Sequence, residues 1–215
     1  MAEVKRRPYR SPRRQEQAEA TKRAIVEAAT KLLMTLGYAG TTMEAIAREA
    51  GVATITVYDI FNTKPGVVEA AVHAAVLGPE APTALLEQRS PRAVSEERDQ
   101  RRQIALFAAH MGDVMKRVAP IFEAMHSAAG TDPTMASLRR DMLARRLHGM
   151  RGFVDAVGRN GPLRNGMSPE TAAETVWALS SPDLHQLLTL QLGWKRARYV
   201  AWLEETLAAA LLDNP

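Results

Sequence analysis

The chain has 215 residues, 46% of them hydrophobic and 24% charged, with no cysteine. This is the composition of a globular protein able to bury a sizeable core, and it excludes thiol catalysis, disulfides and cysteine-based metal centres. The net charge of +4 is unevenly placed: residues 1–66 hold 11 Lys/Arg against 7 Asp/Glu, while residues 67–215 hold 17 of each. A basic end beside a neutral body is the footprint of one nucleic-acid-binding segment.

Residues 1–15 carry Lys5, Arg6, Arg7, Arg10, Arg13 and Arg14 among Pro8 and Pro12, with little apolar content. They read as a flexible basic arm. Arg6, Arg7 and Arg10 are its candidate DNA contacts, through a minor groove or through non-specific attraction to phosphate; a solvated tail is the plain alternative. No apolar run approaches the roughly 18 residues of a membrane helix, and no hydrophobic segment follows the basic start as in a signal peptide. The expected compartment is therefore the cytoplasm, with no membrane partner.

A helical pattern begins at Glu16. Ile25, Ala28, Ala29, Leu32, Leu33 and Leu36 recur at spacings of three and four, and Gly37 stops the helix. Thr41 with Glu44 three residues on has the form of a capping box opening a second helix, whose inner face is Ile46, Ala47 and Ala50. Gly51-Val52 makes a tight turn. A third short helix follows to Phe61, with Val57 and Phe61 inward. Thr63 caps a fourth, with Lys64 and Pro65 in its first turn, reaching about Leu77. Residues 78–94 read as a loop with one short helix at 83–88. Helical pattern then runs from Ser95 to Ala129, split by Pro120. Further helices run from Asp132 to Arg159, from Ser168 to Leu179, over 183–192 and from Lys195 to Leu212. No strand pattern occurs, and the fold class is all-α.

Residues 41–61 fit a helix-turn-helix, in which the second helix enters the major groove and its first residues reach base edges. Its outer face carries Thr54, Ile55, Thr56 and Tyr58. Thr54 and Ile55 are the candidate base readers, through a thymine methyl for example. Thr42, Tyr58 and Lys64 are candidate phosphate contacts, Lys64 together with the free N–H groups of its helix start. Capping for the threonines and packing for Tyr58 are the structural alternatives.

The stretch from Ile25 to Val68, IVEAATKLLMTLGYAGTTMEAIAREAGVATITVYDIFNTKPGVV, resembles the tetracycline-repressor (TetR) family. The matching positions are Ala28-Ala29 with Leu33, Gly37-Tyr38, Thr41-Thr42, Ile46-Ala47, Ala50-Gly51-Val52, Thr56-Val57-Tyr58, Phe61 and Lys64. Ala53 stands where the family usually has serine, and Ile60 where histidine or tyrosine often reaches DNA. The resemblance implies three parts: the arm at 1–15, a three-helix helix-turn-helix DNA-binding domain at 16–66, and a helical-bundle effector-binding and dimerisation domain at 67–215. It implies double-stranded DNA with a palindromic operator as one partner. A small-molecule effector and a second copy of the chain are the others, the copy joined through helices near 168–180 and 196–212.

In that body Phe107, Met111, Met115, Phe122, Met125, Phe153 and Trp177 are the candidate ligand-binding residues, with His110 as a polar addition. These residue types suit an adaptable apolar cavity and suit an ordinary core equally. Ala172, Val176 and Leu179, with Val200, Leu203, Leu207 and Leu211, are the dimer faces, or intrachain core. No metal ligand set, cofactor motif or nucleophile motif is present, so neither an enzyme nor a metal or cofactor is expected. A DNA-binding protein that senses nothing is the other reading, and a sealed body core would favour it.

Overall fold

The computed structural model describes residues 12–81 and 84–213, and the arm candidates Arg6, Arg7 and Arg10 lie outside them. Ten α-helices carry the fold in the described residues, with no strand among them. None is long and apolar enough to cross a membrane. The chain divides between Ala71 and Val72 into two units.

In the first unit α1 spans Pro12–Gly40. It starts four residues earlier than the apolar stripe suggests, so Arg13 and Arg14 sit on its first turn, exposed, and not in an arm. A proline at the first helical position loses no hydrogen bond, which permits the early start. Ile25, Ala29 and Leu33 are buried, while Leu36 at the end of the stripe is exposed. Regular helix ends at Gly37, whose φ of 66° lies in the left-handed region that favours glycine.

α2 spans Met43–Ala50, and its cap is Thr42, not Thr41: Thr42 Oγ1 accepts from Ala45 N at 3.1 Å. Thr41 is buried and its hydroxyl donates to Gly37 O at 2.8 Å, satisfying a carbonyl where α1 breaks. The expected capping box does not form: the inward threonine is already committed, the cap moves one residue on to Thr42, and Ala45 three residues later has no polar side chain to reciprocate. Gly51, left-handed at φ 68°, closes α2, and α3 follows at Thr54–Phe61. Ala53 precedes it without a side-chain cap bond, as the loss of serine implies. α4 spans Lys64–Leu77, and Thr63 Oγ1 accepts from Gly66 N at 3.2 Å. Ile25, Ala28, Ala29, Met43, Ile46, Ala47, Val57 and Val67 form one core, with Leu32, Ala50, Val52 and Phe61 packed against it. Burial of this kind stabilises by about 1.5–3 kcal/mol per large aliphatic side chain.

The second unit departs from expectation first at α5, Arg89–Glu96, which occupies residues assigned to a loop. Only Val94 of α5 is buried, so no apolar stripe marks it. Asp99 then caps α6 by accepting from Arg102 N at 2.7 Å, which starts the long helix at Gln100 and not at Ser95. α6 runs unbroken through Pro120 to Ala129. Proline inside a helix costs roughly 3 kcal/mol. Here Val118, Ala119, Ile121 and Phe122 on both sides of it are at most 4% exposed, and that burial holds the axis. Gln186 Nε2 also donates to Ala119 O at 2.7 Å beside the proline.

α7 spans Pro133–Asn160 behind the cap Asp132, and α8 spans Pro169–Leu179 behind Ser168. α9 is short, Pro182–Gln186 behind Ser181, and passes into a π turn at Leu187–Gln191. α10 spans Arg196–Leu211. α6 packs against α7 and α10, and α7 against α8. At Gly112 of α6 an added Cβ would lie 2.5 Å from Val200 Cγ2, so glycine sets how closely α10 approaches. Ala172, Val176, Leu203, Leu207 and Leu211, named above for a second chain, are each fully buried within this one. The large apolar residues left exposed in this region are Leu187, Leu190 and Leu192.

Candidate nucleic-acid interface

Val57 is fully buried on the inner side of α3, and this fixes which residues face outward. Ile55 is 64% exposed and Tyr58 42%, so both stand in solvent as expected of a reading face. Thr54 and Thr56 are half-buried, flanking that face, and Thr42 is exposed. The Thr42 hydroxyl oxygen accepts a backbone N–H, which leaves its O–H proton available to a phosphate.

Asp59 and Ile60 are exposed as well. Asp59 follows Ile55 by one helical step of four, so the two share a face. Sequence reasoning passed over this carboxylate, although the i, i+4 spacing from Ile55 marks it. On a groove-facing helix a carboxylate accepts from a cytosine amino group and repels phosphate. The polar character of α3 is therefore mixed: an aliphatic side chain, a phenol and one acid.

Lys64 does not extend freely. Its Nζ donates to Tyr38 O and lies 3.7 Å from the centre of the Tyr38 ring. The residue stays half-exposed at the start of α4, with the ammonium held in place by Tyr38. Gly66 explains the unusual Pro65-Gly66 pair: an added Cβ there would meet Phe61 O at 2.5 Å. The α3–α4 corner thus needs a residue without a side chain. On α2, Glu49 pairs with Lys31 at 2.5 Å in an exposed contact.

The eight ligand candidates lie on α6, α7 and α8. Phe107, Met111, Met115, Phe122, Met125 and Phe153 are buried, and the Phe107 and Phe153 rings stack at 3.9 Å and 16°. His110 is half-buried. Trp177 is half-buried on α8, its Nε1 donating to Leu143 O at 3.1 Å. One surface groove of about 400 Å³ is lined by Val154, Asp155, Gly158, Arg159, Leu163 and Pro169, none of them among the eight.

Residues 25–71 match the family described as bacterial regulatory proteins, tetR family. No curated protein matches the sequence. Among solved structures, the SmeT–triclosan complex is similar at TM-score 0.67 and 23% identity, over 91% of this chain and 93% of that one. NalD of Pseudomonas aeruginosa, the secondary repressor of the MexAB-OprM multidrug efflux pump, is similar at TM-score 0.66 and 19% identity, over 93% and 100%. FadR of Bacillus subtilis in complex with stearoyl-CoA is similar at TM-score 0.67 and 14% identity, over 87% and 98%. These likenesses show the fold, and over residues 25–71 the chain carries the N-terminal domain of the tetR family of bacterial regulatory proteins.

Proposed function

We propose that this DNA-binding regulator is a repressor that binds a palindromic operator as a homodimer and is released by a small apolar or amphipathic effector. The observation that carries it is α3, with Val57 locked inward and Ile55, Tyr58 and Asp59 turned to solvent on a helix-turn-helix. Ile55 and Asp59 read base edges, and Thr42, Tyr58 and Lys64 set register on phosphate. Two-fold symmetry would set the two α3 helices roughly 34 Å apart, matching half-sites one helical turn apart. Leu187, Leu190 and Leu192 supply the apolar surface that a second copy would cover.

The effector reading draws support from SmeT with triclosan and FadR with stearoyl-CoA, both solved with such molecules. Released binding follows when the effector favours a state in which the two α3 helices no longer match successive grooves. α4 is the lever, because Lys64–Leu77 leads from the reader into the body. The effector shifts that balance only by its difference in affinity for the two states.

The test is selection of genomic fragments by the purified protein at a stated salt concentration. An enriched palindrome supports the proposal; binding that is salt-sensitive and blind to sequence overturns it. A second reading, a DNA-binding protein without an effector, is favoured by the stacked Phe107–Phe153 pair and the buried residues around it. It predicts operator affinity that no small molecule alters.

A further inference from the structure

Four buried side-chain polar atoms in the described residues lack a hydrogen-bond partner: Arg139 Nε, Arg146 Nε, His185 Nδ1 and Tyr199 Oη. All four belong to the second unit, on α7, α9 and α10, although they span sixty residues of sequence. Buried polar groups are ordinarily satisfied, so four orphans in one neighbourhood call for a physical explanation.

Their surroundings connect them. The His185 ring meets the Tyr199 ring edge-on at 4.7 Å. Tyr199 is fully buried. The Arg146 guanidinium donates to Trp177 O and to Ser180 Oγ, each at 2.6 Å. Both are neutral oxygens, and among the described residues no carboxylate pairs with Arg146. Arg139 is different: its Nη2 bonds Asp183 at 3.2 Å, which neutralises it. Burial pushes the Arg146 guanidinium down to about 10, and pushes the Tyr199 phenol up to about 12 against the pull of the Arg146 charge. Asp183 acts on Arg146 at a distance but is itself paired with Arg139, so Arg146 is a largely buried cation with no carboxylate in contact, a costly arrangement unless an anion completes it.

We propose that Arg146, Tyr199 and His185 form the polar end of a binding site for a small carboxylate, with Trp177 as its aromatic wall. The chemistry selects the class. The Arg146 Nε–H and the Tyr199 phenol O–H are donors, and the charge without a contacting partner is positive, so the matching group is an acceptor bearing negative charge. A cationic ligand would meet Arg146 unfavourably. A neutral amide would satisfy hydrogen bonds and leave the charge uncompensated. This proposal deepens the effector reading and rests on it for its meaning: the effector would be an amphipathic acid.

The experiment is calorimetric titration of the full chain, without DNA, with acetate, benzoate and octanoate, each against its primary amide. The expected result is saturable binding of at least one acid, at least tenfold weaker binding of its amide, and at least a tenfold loss in Arg146→Gln. Tyr199→Phe removes one hydroxyl at constant shape and should weaken the same acid at least threefold; it serves as the deciding variant if circular dichroism shows Arg146→Gln unfolded. The proposal is overturned if none of the three acids binds, as a single buried water at the cluster would predict, if acid and amide bind alike, or if the deciding variant binds as the parent does. Because no DNA is present, failure here leaves operator binding standing, and failure of operator binding leaves this result standing.

Discussion

Lys64 at the start of α4 is held over the ring of Tyr38 at the end of α1, 3.7 Å from its centre, and donates to the Tyr38 carbonyl. One ammonium thus ties two corners of the helix-turn-helix unit while keeping its charge at the surface. Lys64→Ala should cost that unit about 1 kcal/mol, from the lost cation–π contact and hydrogen bond. It should also reduce the salt dependence of operator binding by about one phosphate contact. Tyr38→Leu should share the stability loss and keep the salt slope. Thermal melts and binding at several salt concentrations separate the two roles; equal salt slopes for both variants would remove Lys64 from the phosphate contacts.

Ile55 and Asp59 share the exposed side of α3, so their substitution should alter which sequence is preferred and leave folding untouched. Ile55→Ala is expected to weaken the preferred operator by about 1 kcal/mol and relax one position of each half-site. Asp59→Asn should strengthen binding to unrelated DNA, because a repelling charge near phosphate is removed, while discrimination at a cytosine declines. Repeating the fragment selection with each variant reads both effects. An unchanged consensus in both would show that α3 is seated another way.

Gly66 and Gly112 occupy places where a single methyl collides with its surroundings. At Gly66 the obstacle is backbone, Phe61 O, which cannot rotate away; at Gly112 it is Val200 Cγ2 across the α6–α10 contact. Both alanine variants should lose about 1–3 kcal/mol, measured by denaturant titration. Gly112→Ala combined with Val200→Ala should recover part of the loss, and failure to recover would mean the helices are held apart by something else.

His185 gives the body a pH dependence. Burial lowers its pKa below the ordinary 6.5. The unfolded chain therefore takes up a proton near pH 6.5 that the folded chain resists, so this contribution is favourable above that value and is lost as pH falls through it. The nearby ionisable groups are the Tyr199 phenol, the Arg146 guanidinium that acts on it, and Asp183, the last paired with Arg139. His185→Gln should flatten the decline in melting temperature between pH 7 and 5. An unchanged decline would assign it to other groups.

Much of the first unit could be read directly from the chain because its signals are local. Gly37 and Gly51 mark places where the backbone turns left-handed, and the spacing around Val57 fixes the inner side of α3. The cap at Thr42 was missed by one residue because adjacent threonines carry the same chemistry, and only burial shows that Thr41 is already used. Pro120 misled for a related reason: its local cost is real, yet packing on both sides outweighs it. The Arg146 cluster was beyond reach, since its members are brought together by tertiary packing and no spacing pattern joins them. Trp177, one of the ligand candidates, adjoins that cluster through its own carbonyl, and the methionines and phenylalanines grouped with it are buried.

The far end of α7 is fastened by side-chain amides. Gln103, fully buried, donates to Val94 O at 2.8 Å and accepts from Asn160 Nδ2 at 2.9 Å, and the same Asn160 nitrogen donates to Glu97 O at 2.8 Å. Every bond in this joint uses an amide as both giver and receiver, so no acid can stand in for either residue. Asn160 is followed by Gly161, a sequence in which the amide is open to hydrolysis. Conversion to aspartate would abolish two donors and set a carboxylate against two oxygens, prising α7 from α5. The protein consequently carries a chemical clock: each conversion at Asn160 in an aged preparation should loosen the α5–α7 joint and add one negative charge.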